Sequence, residues 1–177
     1  MNNQLNVLLI EDNENDVLFT IRYLKQYWQE INYLVVQKET ELVAALKTNW
    51  DVILCDYDLP EFSGLTALRL IRDSGVKTPF ILVSGVVSED IAAAMMRLGA
   101  NDYVMKNNLK RLTPSILRET QFFKSSNPEV VAVRSQDTLQ KKPAVSLQKS
   151  NHLSSKLLQP VVPKQNKVQI NKPITQR

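Results

Sequence analysis

Five short apolar runs punctuate the first 124 residues: Val7 to Ile10, Tyr33 to Val36, Val52 to Cys55, Phe80 to Val83 and Tyr103 to Met105. Each is too short for a helix of ordinary length, which predicts five strands. Between them the apolar period changes. Val17, Leu18, Ile21, Leu24, Trp28 and Ile31 recur mostly three or four apart, as on one face of an amphipathic helix. Leu42, Ala45 and Leu46 mark a second helix, and Leu65, Leu68 and Ile71 a third. Ile91, Met95 and Leu98 mark a fourth, which opens with Ser88, Glu89 and Asp90 and stops at Gly99. That opening suits a helix start by capping and by negative charge at the positive end of the dipole. Thr113 and Pro114 fit the N-cap and first position of a fifth helix running through Ile116 and Leu117 to about Phe123.

Strict alternation of nearly continuous apolar strands with helices predicts a parallel sheet covered on both faces, an open α/β sandwich. In such sheets functional groups gather beyond the carboxyl ends of the strands. No internal repeat of domain-building length is present in the first 124 residues.

Composition divides the chain. Residues 1–124 carry 13 Lys and Arg against 16 Asp and Glu, a net −3, whereas residues 125–177 carry 9 against 2, a net +7, together the +4 of the whole chain. Every Phe, Trp, Tyr and Gly lies at or before Phe123, and five of the eight prolines follow Ser126. A segment so poor in core material cannot offset its ordering entropy, so 1–124 is expected to form one domain and 125–177 a basic, disordered tail. The N-terminus shows no signal-peptide pattern and no apolar run is long enough to span a bilayer, so a soluble, cytoplasmic protein is expected. Cys55, the only cysteine, sits inside an apolar run, which predicts a buried thiol.

The strand ends carry the chemistry. The first strand ends in Glu11 and Asp12, the third in Asp56 and Asp58, the fourth in Ser84 and the fifth in Lys106. Alone, each has a plain reading: helix-start charges, turn residues before Pro60, a hydroxyl satisfying a backbone group, a solvated surface lysine. Jointly they supply one phosphoryl-transfer site. Converging carboxylates repel one another and need a cation, and an all-oxygen site with few protein ligands suits Mg²⁺. A carboxylate beside that metal can attack a phosphoryl group in line, while the metal, a lysine and a hydroxyl stabilise the equatorial oxygens.

The segments Val7-Leu-Leu-Ile-Glu-Asp12, Asp51-Val-Ile-Leu-Cys-Asp-Tyr-Asp-Leu-Pro60 with Gly64, Phe80-Ile-Leu-Val-Ser84 and Asp102-Tyr-Val-Met-Lys106 resemble, in order and spacing, the response-regulator receiver family. The resemblance covers about the first 120 residues. It implies a flavodoxin-like (βα)5 doubly wound sheet with strand order 2-1-3-4-5. It also implies that Asp56 takes phosphate from a partner histidine, and that Asp12, Asp56 and the backbone carbonyl of Asp58 bind Mg²⁺, with Glu11 acting mainly through water. Ser84 and Lys106 would contact the phosphoryl oxygens. Tyr103 would couple to Ser84, turning inward on activation and reshaping the face of the fourth helix, fifth strand and fifth helix. Three positions depart from the family pattern. Asn107 replaces the usual proline after the lysine, Asp58 adds a negative side chain near the site, and Phe62-Ser63 replaces an apolar residue plus aspartate, a change expected to bear on partner contacts.

Two other functions fit parts of the chain. Asp56-Tyr57-Asp58 also offers the nucleophile and acid of an aspartate-nucleophile phosphatase, although that family places the pair after its first strand. The basic tail could attract nucleic acid, although it has no aromatic stacking group and no zinc spacing. His152, the only histidine, lies in the tail. The phosphoryl donor is therefore expected to be another molecule, a sensor histidine kinase or histidine phosphotransfer protein, with a downstream partner the sequence does not specify.

Overall fold

Each predicted apolar run forms a strand in the computed structural model, which describes residues 4–85 and 88–127. The strands are β1 (Gln4–Ile10), β2 (Glu30–Val36), β3 (Val52–Cys55), β4 (Phe80–Ser84) and β5 (Asp102–Met105). All pair in parallel, in the order β2-β1-β3-β4-β5. The helices between and after them are α1 (Glu14–Leu24), α2 (Glu39–Ala45), α3 (Gly64–Asp73), α4 (Glu89–Arg97) and α5 (Leu112–Ser126), with a 3-10 turn over Lys106–Arg111.

The period of two along each strand separates two cores. On one face Leu8, Ile10, Ile53, Cys55, Phe80 and Leu82 pack with Leu42, Ala67, Leu68, Ile71 and Met95 from α2, α3 and α4. On the other, Val7, Leu9, Val52, Leu54, Ile81, Val83 and Val104 pack with Val17, Ile21, Leu24, Leu112 and Ile116 from α1 and α5. Strands buried on both faces have no solvent side, which is why β3 and β4 read as unbroken apolar runs. Burying a side chain such as Phe80 or Leu54 contributes about 1.5–3 kcal/mol, so the central strands anchor the sheet. Cys55 is buried as expected.

Two helix expectations change. The first helix stops at Leu24, where the amides of Lys25, Tyr27 and Trp28 bond back to Ile21 and Leu24 and close the last turn. Trp28 is buried beyond the helix, and Ile31 belongs to β2. Both pack against the same core as Val17, Ile21 and Leu24, so their spacing reports a shared packing surface rather than one continuous helix. At the other end, the 3-10 turn runs directly into α5. Thr113 therefore lies buried inside the first turn rather than capping it.

The Ser88 expectation holds: its hydroxyl accepts from the Ile91 amide to cap α4, and Gly99 takes φ 97° after it. α5 continues two residues past the expected boundary at 124, and the expected disorder beyond Asn127 lies outside the described residues. No described helix is long and apolar enough to cross a membrane.

Candidate functional site

Parallel pairing brings the ends of β1, β3 and β5 to one edge. Residues that follow adjacent strands in register arrive side by side, because Ile10 pairs with Cys55 and the Asp56 amide donates to the Ile10 carbonyl at 2.9 Å. Carboxylate oxygens of Glu11, Asp12 and Asp56 consequently lie within 4.8 Å of one another. Asp56 is buried, with Oδ1 accepting from the Tyr57 amide at 2.6 Å. Glu11 is also buried and accepts from the Asn13 amide at 3.1 Å, while Asp12 is half-buried. Asn13 in turn caps α1 by accepting from the Asn15 amide, so the loop that carries Glu11 and Asp12 is fixed at both ends.

Lys106 reaches this cluster from the end of β5. Its Nζ lies 2.7 Å from Asp56 Oδ2, 2.8 Å from Glu11 Oε2 and 2.7 Å from Asp16 Oδ2. Burial alone would lower the lysine pKa, but the hydrogen bonds to Asp16, Asp56 and Glu11 outweigh it and raise the pKa above the ordinary lysine value. The ammonium therefore stays charged. The Glu11 pKa is raised as well, because burial disfavours its charged form and Lys106 recovers only part of that cost.

Among the described residues, three carboxylates bond one ammonium and Asp12 lies beside two of them, which leaves a formal deficit of positive charge. An all-oxygen donor set with that deficit fits a hard divalent cation, with Glu11, Asp12 and Asp56 as the side chains able to hold it. Such a site also draws anionic oxygens toward a buried carboxylate, the arrangement that phosphoryl transfer to an aspartate requires.

Comparison with known proteins agrees with the geometry. The model of the response regulator receiver domain matches residues 7–117. The chain belongs to this family. The cell cycle response regulator CtrA of Brucella ovis is 40% identical over 58 residues, which are 33% of this chain and 25% of that protein. The chain thus spans about a quarter of the length of that curated relative. The receiver domain of Francisella response regulator 1452 superposes with a TM-score of 0.61 at 22% identity, over 68% of this chain and 99% of that one. A response regulator receiver domain protein from Clostridium thermocellum gives 0.59 at 25% identity, over 68% and 97%. This receiver is a signalling module of two-component systems, and family membership displaces the phosphatase reading of Asp56 and Asp58.

The remaining expected residues of the receiver lie on β4, on β5 and in the loop after β3. Ser84 closes β4, is buried, and pairs in register with Met105, the residue before Lys106. Tyr103 is half-buried and packs against the core beneath α2, α3 and α4. The carboxylate of Asp58 is exposed and stands outside the three-carboxylate group, leaving its backbone carbonyl as the expected contribution.

Phe62 is buried in the core. Its neighbour Ser63 caps α3, accepting from the Thr66 amide at 3.2 Å. Asn107 in place of proline lets the chain enter the 3-10 turn directly at Lys106.

Asp16 was missed by sequence reasoning. The available signal was the Asn13 cap, which places Asp16 at the third helical position of α1, where side chains lean back toward the strand edge. An open groove of about 380 Å³ beside it is lined by Asp16, Phe19, Thr20, Arg22, Tyr23, Gln26, Lys106 and Leu109.

Proposed function

We propose that this receiver accepts a phosphoryl group on Asp56 from the phosphohistidine of a sensor histidine kinase or histidine phosphotransfer protein. The observation that carries the reading is the 2.7 Å bond from Lys106 Nζ to Asp56 Oδ2 inside a cluster of three mutually close carboxylates. One carboxylate oxygen of Asp56 forms the new O–P bond as the P–N bond to the donor imidazole breaks. The bonding pair returns to the imidazole nitrogen. Lys106 and the Ser84 hydroxyl neutralise and orient the phosphoryl oxygens, and burial of Asp56 limits competing water.

Mg²⁺ held by Asp12, Asp56 and the carbonyl of Asp58, with Glu11 acting through water, would supply charge neutralisation at those oxygens when bound. Removing the carboxylate leaves no acceptor, and removing the donor's phosphoryl group leaves nothing to transfer.

Output follows from the same contacts. A phosphoryl group on Asp56 draws Ser84 toward it and vacates space for Tyr103 to turn inward, shifting a pre-existing equilibrium of α4, β5 and α5. Met96, Met105 and Leu117 are exposed on those three elements, apolar surface suited to a downstream protein.

The test is labelling with a small-molecule phosphoramidate and Mg²⁺, read by intact mass and peptide mapping. One phosphoryl group should appear on Asp56 and be absent from Asp56→Asn. Labelling of that variant at the wild-type rate sinks the assignment. Unchanged amide exchange across Glu89–Arg97 and Leu112–Ser126 on phosphorylation sinks the output model.

A further inference from the structure

Lys106 and Asp56 follow β5 and β3, which β4 separates in the sheet. The lysine therefore spans two strand spacings, about 9–10 Å, on a flexible four-carbon stem. Its ammonium is fixed by bonds to Glu11 at 2.8 Å, to Asp16 at 2.7 Å and to Asp56 at 2.7 Å. Phosphoryl transfer takes one of these away. An Asp56 oxygen bonded to phosphorus has lost its negative charge, so the ammonium proton it held turns to a phosphoryl oxygen. Among the described carboxylates bonded to Lys106, Glu11 and Asp16 are then left to hold it. Glu11 is divided: it also accepts from the Asn13 amide and belongs to the group with Asp12 and Asp56 that could hold a cation. Asp16 stands outside that group, and among the described residues its carboxylate bonds Lys106 alone. It comes from α1, whose first turn the Asn13 cap fixes. Beside it lies the open groove of about 380 Å³ that Lys106 also lines, space into which an unanchored lysine can swing.

Resting on the assignment of Asp56 as acceptor, we propose that Asp16 is a positioning residue: it stays bonded to Lys106 through phosphoryl transfer and holds the ammonium against the phosphoryl oxygens. It acts through the lysine and does not touch the phosphoryl group. Without it, Lys106 keeps one carboxylate anchor and gains a groove to occupy. The loss falls mainly on the phosphorylated state, because in the unphosphorylated one Asp56 is still an anchor. Bulk charge works the other way, since removing a carboxylate near an incoming anion favours that anion. The opposite signs make the two effects separable.

Beryllium trifluoride with Mg²⁺ mimics a phosphoryl group on an aspartate and reads the anchored state as an affinity, by titration of the full chain followed with amide NMR. Asp16→Ala should bind it about three- to tenfold more weakly, the scale of one partly exposed charge-assisted hydrogen bond. In spectra of isotope-labelled lysine side chains, the Lys106 Nζ signal with the mimic bound should be slow to exchange in wild type and shifted or lost in Asp16→Ala. A purely structural role of Asp16 leaves that signal unmoved. Asp16→Glu returns a carboxylate and should lie closer to wild type than Asp16→Ala does. Glu14→Gln removes an exposed charge from the same helical turn and should stay within about twofold of wild type. Equal or tighter binding by Asp16→Ala overturns the proposal, as does an unmoved Lys106 signal in that variant. Weakening of the same size in Glu14→Gln or Asp16→Glu overturns it too, because the helix start rather than the bond to the lysine would then be the cause. A wild-type chain that does not bind the mimic at Asp56 brings down the acceptor assignment itself, whereas wild-type binding with Asp16→Ala unchanged removes only this inference.

Discussion

Gly64 abuts Asp56 so closely that a Cβ there would stand 2.6 Å from the Asp56 carbonyl oxygen and 3.0 Å from Cα of Tyr57. The Gly64 amide also donates to the Tyr57 carbonyl at 2.9 Å, tying the start of α3 to the loop that presents Asp56. Gly64→Ala must therefore move backbone rather than a flexible side-chain tip. We expect it to destabilise the receiver by about 1–3 kcal/mol, the usual cost of overpacking, and to slow Asp56 labelling by shifting the carboxylate away from Lys106. Urea denaturation and the labelling rate check both, and wild-type values in both would show that the loop yields freely.

Removing divalent cations should stop phosphorylation while leaving the fold intact. The two cores owe nothing to a metal, whereas the site brings several carboxylates against a single ammonium. Chelation should abolish labelling without lowering the urea midpoint by more than about 1 kcal/mol equivalent, and added Mg²⁺ should restore it. Undiminished labelling after exhaustive chelation would show that the carboxylates work without a cation.

Asp102 predicts a pH dependence of stability. It opens β5 and accepts from Ser115 Oγ at 2.6 Å, from Arg118 at 2.7 Å and from the Tyr103 amide at 2.7 Å. Burial pushes its pKa up, but the bonds to Ser115, Arg118 and the Tyr103 amide outweigh burial and hold it below the ordinary carboxylate value. A depressed folded pKa gives stabilisation that is present above the unfolded pKa of about 3.9 and lost as pH falls through the folded value. Asp102→Asn should cost about 1 kcal/mol near neutral pH, discounted for the exposed Arg118 guanidinium, and progressively less toward about pH 3. Denaturation curves at several pH values decide this, and a pH-independent penalty would assign the loss to packing.

Among the described residues, Arg72 joins α3 to the entry of β5 through neutral acceptors alone. Its guanidinium donates to the carbonyls of Val76, Thr78 and Gly99 and to Asn101 Oδ1, at 2.8 to 3.2 Å. Lysine cannot reproduce that planar fork, so Arg72→Lys should lose about 1–3 kcal/mol while leaving the chemistry of Asp56 unchanged. Equal urea midpoints would show that the carbonyls find water instead. A changed labelling rate at unchanged stability would tie Arg72 to the site.

The strands were legible because β3 and β4 are buried on both faces, so that a run such as Val52 to Cys55 is unbroken apolar and too short for a helix of ordinary length. The first helix was overread for a related reason. Trp28 and Ile31 must pack against the same core as Val17, Ile21 and Leu24, and their spacing along the sequence cannot distinguish a continued helix from a turn followed by an edge strand. The burial of Phe62 was not legible, because a buried and an exposed aromatic look alike in a loop sequence; packing against the core beneath α3 decides between them.

Sequence by itself determined the parallel sandwich, the strand ends that carry acidic groups, and the pairing of Asp56 with Lys106 as candidates, because pattern period and strand polarity oblige those ends to share an edge. Tertiary structure decided which groups touch. Asp16 joins Lys106 alongside Glu11 and Asp56, while the carboxylate of Asp58 stays outside that ion-pair cluster. Periodicity fixes the face on which a residue lies, to within several ångströms. A charge-assisted hydrogen bond is made or lost over less than 1 Å, and that distance is set by how α1, β5 and the turn after it pack together.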